Sequence, residues 1–394
     1  MDGKKKKAES DIWLSSLNRN ELKEIIFDPD KPPFITKNDE DGKFIYNRYH
    51  GFAYEPKKGG SWELFQKHIR DIICGGNVEH YAWVFEWMGN IVQRKFKKCG
   101  KVLVLVGENG TGKSTFARLF GKIFGEHYAP ISNKNSVVGN FNGILQGKVL
   151  VNLDDTLFRN DHQSINILKV LVTEEHLTLN QKYKAEETID NNMSFIISSN
   201  STDPIPLQSF ERRYVVIEMK NDKRCDFEYF QKMEEELERG GYEAMLYDLL
   251  NAELDEEHLR NRAPKTEIMA ENQLENLSPL AQWFHGVLEN GYVNMYERGE
   301  LAGQRPIFDQ DIHKDELFRY YQQWCEYYHH RFNVIHTKLK FSTSLQKLCP
   351  SIKYKDIRLQ EEGKRGQCAY RIPAIDICRK EFEASQGVSI QWDD

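Results

Sequence analysis

The stretch Lys101-Val102-Leu103-Val104-Leu105-Val106-Gly107-Glu108-Asn109-Gly110-Thr111-Gly112-Lys113-Ser114 decides the fold. The apolar run Val102 to Val106 is too short for a helix and shows no polar alternation. It predicts a strand buried on both faces, as in a parallel sheet. Directly after it, Gly107 to Ser114 fits the spacing G-x-x-x-x-G-K-[ST]. The glycines let the backbone wrap so that its N–H groups face phosphate oxygens, with Lys113 adding a point charge and Ser114 a hydroxyl for a divalent cation. The helix predicted over Ser114 to Gly125 presents its positive end to the same place. A Gly-rich turn with no nucleotide is the alternative, and the strand-loop-helix context speaks against it.

Other short apolar runs predict further buried strands at Val149 to Leu153, Phe195 to Ser199 and Tyr214 to Glu218. Helical stretches such as Ser164 to Val172 lie between some of them, which is an α/β pattern. Upstream, Ser61 is a candidate N-cap for a helix from Trp62 to Cys74. A second helix is predicted over Glu79 to Lys95, with Val84, Trp87, Met88, Ile91 and Val92 on one face. The chain divides into a basic tail (1–10, with Lys4 to Lys7), a turn-rich lead-in (11–76), an α/β core with its leading helix (77–263) and a C-terminal domain (264–394). Beyond Pro264 the sequence reads as mostly helical until Cys349, and Asp356 to Ile372 as two short strands around a turn at 362–366.

Composition bounds the function. With 394 residues, 40% hydrophobic and 29% charged, the chain can bury a core and is not wholly disordered. No apolar run approaches the ~18 residues of a membrane span, and the N-terminus lacks a signal peptide's apolar segment. An intracellular, soluble protein without a membrane partner is expected. The seven cysteines form no CxxC pair and are odd in number, so reduced thiols are expected, with neither a disulfide framework nor structural zinc. The net charge of −6 says little, but Met233 to His258 carries a local −9 and Lys338 to Gln367 a local +5. Both suit solvated faces, and the basic one also suits a nucleic-acid contact.

A phosphate-binding loop with Mg²⁺ needs an acidic site at the end of another buried strand. Asp154-Asp155 follows Val149 to Leu153, with Asp154 expected to hold Mg²⁺ through water and Asp155 to orient or deprotonate the attacking water. A helix cap is the competing role. Asn200 ends the run Phe195 to Ser199 and suits a γ-phosphate or water contact, or simply a turn before Pro204. Arg212-Arg213 precedes the last strand. Either arginine could pair with acids of its own subunit or reach a neighbour's γ-phosphate.

The order P-loop, Asp-Asp, Asn-ended strand, Arg-Arg resembles the superfamily 3 helicases, AAA+-type hexameric motors of viruses, phages and plasmids. More narrowly, it resembles the helicase part of phage and virus primase–helicases, the poxvirus-like group. Trp87, Gln93, Gly139-Asn140-Phe141-Asn142, Leu168-Lys169, Thr173 and Pro264-Lys265-Thr266 also resemble that group. Many relatives have Asp-Glu where this chain has Asp154-Asp155, and no primase motif is evident. The resemblance implies ATP and Mg²⁺ as cofactors, bound by Gly107, Glu108, Asn109, Gly110, Thr111, Gly112, Lys113, Ser114 and Thr115. It implies catalytic roles for Lys113, Asp154, Asp155, Asn200 and Arg212 or Arg213, with Mg²⁺ at Ser114 and Asp154. It also implies a homo-hexamer moving on single-stranded DNA inside a host cell, beside a primase or polymerase partner.

In such helicases a basic hairpin lies between the Asp pair and the Asn strand. Here Leu177 to Asn191 reads as two alternating segments around Lys182-Tyr183-Lys184. Lys182 and Lys184 are expected to contact phosphates and Tyr183 to stack on a base or pack beneath the hairpin. At the C-terminus the aromatic helix Asp315 to Cys325 reads as core. A second helix, Ser342 to Leu348, followed by the basic strand-turn-strand resembles a winged-helix domain. Lys353, Lys355, Lys364 and Arg365 would then face DNA phosphates. Phosphate contacts alone do not separate DNA from RNA. The rival functions are a nucleotide-regulated DNA-binding replication initiator and a non-motor P-loop NTPase.

Overall fold

The computed structural model describes residues 9–16, 22–32, 34–37, 44–133, 135–138, 142–154, 162–181, 183, 185–201, 212–297, 300–328, 334–335, 337–357 and 367–392. The chain divides into two compact units, Met1–Ile205 with Arg213–Pro264, and Pro206–Arg212 with Lys265–Asp394.

The first unit begins with α1 (Glu9–Leu14) and three strands, β1 (Leu22–Ile26), β2 (Phe34–Lys37) and β3 (Phe44–Asn47), in the order β1-β3-β2. The turn-rich sequence had suggested only irregular structure there, because four- and five-residue strands between Pro and Gly leave little alternation to read. Next come α2 (Glu63–Lys67), which continues as a wider π turn through His68–Ile73, and α3 (Val78–Gln93). Ser61 Oγ accepts from Glu63 N at 3.3 Å, the bond expected of a cap, and its hydroxyl donates to Glu236 at 2.6 Å, although the regular helix starts one residue later, after Trp62. In α3, Asn77 caps the start, and Trp83, Val84, Trp87, Met88, Ile91 and Val92 are buried. Trp87 Nε1 donates to the Lys101 carbonyl at 3.3 Å, fixing the lead into the central sheet. Gln93 Nε2 donates to the carbonyls of Leu249 and Ala252, at 2.7 and 2.8 Å.

The central sheet starts with β4 (Val102–Val106), then α4 (Lys113–Lys122), β5 (Tyr128–Ile131), α5 (Asn135–Val138), β6 (Leu150–Asp154) and α6 (His162–Thr173). A two-stranded hairpin, β7 (His176–Leu179) and β8 (Glu187–Asp190), precedes β9 (Ser194–Ser199) and β10 (Tyr214–Glu218). The five strands of the sheet run in the order β10-β4-β9-β6-β5, every neighbouring pair parallel. All five residues of β4 are buried, as its unbroken apolar run requires. From β4 the chain crosses toward β5 at one edge, while from β9 it crosses the other way to β10. Adjacent strands whose connections diverge create a crevice at their carboxyl ends, the usual place for a ligand in an open α/β sheet. Helices α7 (Phe227–Glu236), α8 (Tyr242–Leu250) and α9 (Glu256–Arg260) complete the unit. Met233, Leu237, Tyr242, Met245 and Leu249 join α3 and α4 residues in its core.

The second unit contains α10 (Glu267–Glu275), α11 (Pro279–Asn290), the antiparallel pair β11 (Tyr292–Glu297) and β12 (Glu300–Pro306), then β13 (Asp311–His313) and α12 (Lys314–Tyr327). It continues with α13 (Lys338–Leu348), β14 (Lys353–Ile357), β15 (Gln367–Arg371) and α14 (Ile375–Gln386). Strands β13, β15 and β14 form an antiparallel sheet in that order. Helices α10 to α13 fit the expectation of mostly helical sequence up to Cys349, and the β11–β12 pair is an addition to it. Most β12 side chains are exposed, so the strand lacks the apolar alternation that would announce it. In α12, Leu317, Phe318, Tyr320, Tyr321 and Cys325 are buried with Trp283 and Phe341, which makes the aromatic stripe core. Among the described residues no helix is long and apolar enough to cross a membrane.

Gly121, in α4, tests how tightly the helix after the glycine-rich loop packs on the sheet. Alanine in a helix interior is ordinarily favoured over glycine by up to ~1 kcal/mol. Here a Cβ would lie 2.5 Å from the Tyr128 ring, and overpacking costs about 1–3 kcal/mol. Gly121→Ala is therefore expected to lower the melting temperature, read by thermal denaturation. A rise would mean that α4 and β5 can move apart freely.

Candidate nucleotide and nucleic-acid site

The Gly107–Ser114 loop leaves the carboxyl end of β4 and turns into α4. Gly110 and Gly112 have φ of +85° and +105°, a backbone region that strains other residues. A Cβ at Gly110 would lie 2.6 Å from Cys225 Sγ, and one at Gly112 would lie 2.8 Å from the Phe230 ring. Thr111 is buried and its hydroxyl donates to the Glu108 carbonyl at 2.9 Å. Gly107 is half-buried, Glu108, Asn109 and Gly110 are exposed, and Gly112 is buried. Ser114 is exposed on the first turn of α4, with Thr115 half-buried beside it.

Lys113 is 7% exposed. An ammonium so far out of water needs acceptors, and its Nζ donates to the carbonyls of Gly107 and Glu108 at 2.6 and 2.8 Å. The cation is thus held over its own loop. Loop N–H groups, the Lys113 ammonium and the Ser114 hydroxyl are together the donor set that a polyphosphate with Mg²⁺ needs, and the loop's residues fit such a group.

Strand register brings Asp154 and Asn200 to the same edge and leaves Arg213 at the opposite end of the sheet. Val106 pairs with Ser199, and Gly107 N donates to the Ser199 carbonyl at 3.2 Å. Asn200 follows immediately and is exposed. Asp154 ends β6 opposite Ser198. The Asp154 side chain, all of Asp155, and Lys182, Lys184, Lys364 and Arg365 lie outside the described residues. Of the paired arginines, Arg212 is exposed and Arg213 half-buried. The Arg213 carbonyl accepts from Val102 N at 2.8 Å, tying that residue to the base of β4.

The β7–β8 hairpin springs from between β6 and β9. Asn142 holds the end of β7 that leads into the tip turn. The Asn142 Oδ1 accepts from Asn180 N at 2.8 Å, Nδ2 donates to the Thr178 carbonyl at 3.1 Å, and Asn142 N donates to the Asn180 carbonyl at 3.2 Å. At the other end Asn191 Nδ2 donates to the carbonyls of Leu171 and Glu174, both at 2.8 Å. Tyr183 at the tip is 93% exposed with φ +66°, so it does not pack beneath the hairpin. In the second unit Lys353 and Lys355 are exposed on β14, and Lys355 Nζ pairs with Asp311 at 2.7 Å.

Sequence reading missed the turn after β10, which forms a wall of the loop. Asn221 Nδ2 donates to Glu108 Oε1 at 3.3 Å, and Arg224 forms an ion pair with the same carboxylate. Arg224 Nε also donates to the Asn109 carbonyl at 3.0 Å, and Cys225 N donates to the Gly110 carbonyl at 3.0 Å. Behind Gly112, His68 is fully buried against Tyr229 and Phe230. Its Nδ1 lies 3.2 Å from the Tyr229 hydroxyl, and its Nε2 is buried without a hydrogen-bond partner. Burial pushes the imidazole down to about 4, so it is neutral near pH 7. No signal in the local sequence marks these residues, because their partners lie more than a hundred positions away.

A family of unknown function, DUF5906, matches residues 105–213. A DNA primase-polymerase of Nitratiruptor phage NrS-1 is 29% identical over 197 residues, which is 43% of this chain and 27% of that protein. The chain thus aligns with about a quarter of that relative's length. Two apo structures of the NrS-1 C-terminal region superpose with TM-scores of 0.63 and 0.64 at 21% identity, covering 88% of this chain and 84% of theirs. That likeness is one of fold.

His68 supplies a test of the packing behind the loop. Its folded pKa lies below the unfolded value of 6.5, at about 4. Between those values the unfolded chain binds the extra proton, so stability must fall as pH drops through the window. Chemical denaturation of the His68→Gln variant at several pH values is expected to show a shallower loss from pH 6.5 to 4. An unchanged slope would mean that the imidazole is hydrated in solution.

Proposed function

We propose that this protein is an ATP-driven translocase of superfamily 3 helicase type that works on single-stranded DNA in phage replication. The observation that carries this reading is the shared carboxyl edge of β4, β6 and β9. There the Gly107–Ser114 loop, Asp154 and Asn200 follow parallel strands in one register, with the β7–β8 hairpin inserted between the last two. The relative named as a phage DNA primase-polymerase supports the replication setting.

Bound Mg-ATP would supply a phosphoanhydride whose hydrolysis drives movement. The chain's own residues divide the work. Gly107 to Gly112 wrap the phosphates with backbone N–H groups, and Lys113 exchanges its loop carbonyls for phosphate oxygens. Ser114 and Asp154 hold the metal, Asp155 takes a proton from water, and Asn200 reads the γ-phosphate. Arg212, the more exposed of the pair, is assigned as the residue that a neighbouring copy inserts, in a ring with six as the expected number. Lys182 and Lys184 contact strand phosphates at the hairpin tip beside Tyr183, while Lys353, Lys364 and Arg365 add contacts from a winged-helix-like second unit. Lys355 is already paired with Asp311 and contributes least.

ATPase measurements with and without single-stranded DNA test the reading. Lys113→Ala is expected to lose hydrolysis, and full activity in that variant would overturn the assignment. The double variant Lys182→Ala/Lys184→Ala is expected to retain basal hydrolysis but lose DNA stimulation and unwinding; normal unwinding would remove the hairpin from the mechanism. Mixing Arg212→Ala with Lys113→Ala protein is expected to restore part of the activity, since each supplies what the other lacks. No recovery would argue against a shared site.

A further inference from the structure

We infer that Phe227 is the platform on which the nucleobase of the bound nucleoside triphosphate stacks; this rests on the nucleotide reading of the Gly107–Ser114 loop. Phe227 is 83% exposed. It makes no ring contact among the described residues, and its backbone N donates to the Cys225 carbonyl at 3.0 Å. Cys225 in turn touches Gly110 in the phosphate loop, with its N donating to the Gly110 carbonyl at 3.0 Å. Two residues of chain span at most about 7 Å, so Phe227 starts α7 within that reach of the residue that touches the loop's outer rim.

Sheet order gives the direction of the ligand. Asp154 and Asn200 follow β6 and β9, both on one side of β4, and β10 lies on the other. A triphosphate whose terminal phosphate faces Asp154 and Asn200 must run its first phosphate, and the base beyond it, toward the β10 side. The segment leaving β10 is the one that clamps Glu108, Asn109 and Gly110 through Asn221, Arg224 and Cys225. Phe227 is the aromatic residue that the same segment leaves open to solvent. A flat apolar ring there offers a π-face to any base, so the platform favours nucleotides over bare polyphosphate without choosing among bases.

The test is calorimetric binding of ATP and of inorganic tripolyphosphate, each with Mg²⁺, to the full chain. Phe227→Ala is expected to weaken ATP about tenfold and leave tripolyphosphate unchanged, and Phe227→Tyr is expected to restore ATP. Unaltered ATP affinity in Phe227→Ala, or an equal loss of both ligands, would overturn the platform while leaving the phosphate loop standing. Wild-type protein that binds neither ligand would overturn the nucleotide reading, and the platform with it.

Discussion

All five strands of the central sheet point the same way, and β4 and its neighbour β9 send their connections in opposite directions. That single constraint gathers on one edge residues that are far apart in sequence. Gly107, Asp154 and Asn200 need no long loops to converge, because each follows directly on a buried strand locked in register with the next. The helices serve this edge. Trp87 fixes the lead into β4 from α3, and Phe116 and Phe120 of α4 pack into the same core. A shift of β4 by one residue would put its side chains on the wrong faces and move the loop away from Asn200.

The loop is held from two sides by different physics. Beneath it, Phe230 and His68 occupy the space a side chain at Gly112 would need, so packing decides that position. On the outer rim the hold is polar, through Asn221, Arg224 and the Cys225 backbone. The hairpin is held by side-chain amides too: Asn191 at its base and Asn142 where β7 enters the tip turn, three residues before the exposed Tyr183.

The sheet was legible because burial on both faces writes itself as unbroken apolar runs, and the strands at 102–106, 150–154, 194–199 and 214–218 lie where those runs are. Glycine spacing made the loop legible too. What failed to show is non-local. Ser61 accepts from Glu63 N as its place before the helix suggests, but nothing local announces Glu236, 175 positions on, which takes its hydroxyl. Lys355 looks like a free phosphate contact until Asp311 pairs with it. The β12 strand hides because few of its side chains are buried. The turn over the Gly107–Ser114 loop hides because Asn221 to Asp226 is polar and gains its meaning only from residues such as Glu108, 113 and 116 positions earlier.

The Lys113 ammonium, satisfied by the carbonyls of Gly107 and Glu108, has a further consequence. The loop contains an internal competitor for its own cation. An incoming anion must displace two well-aligned acceptors before it gains the lysine, so observed affinity is a difference between two good interactions rather than the strength of one. In the absence of an anion the loop keeps its lysine paired with these carbonyls instead of leaving an unpaired charge. Such an arrangement favours exchange of an anion over its tight retention.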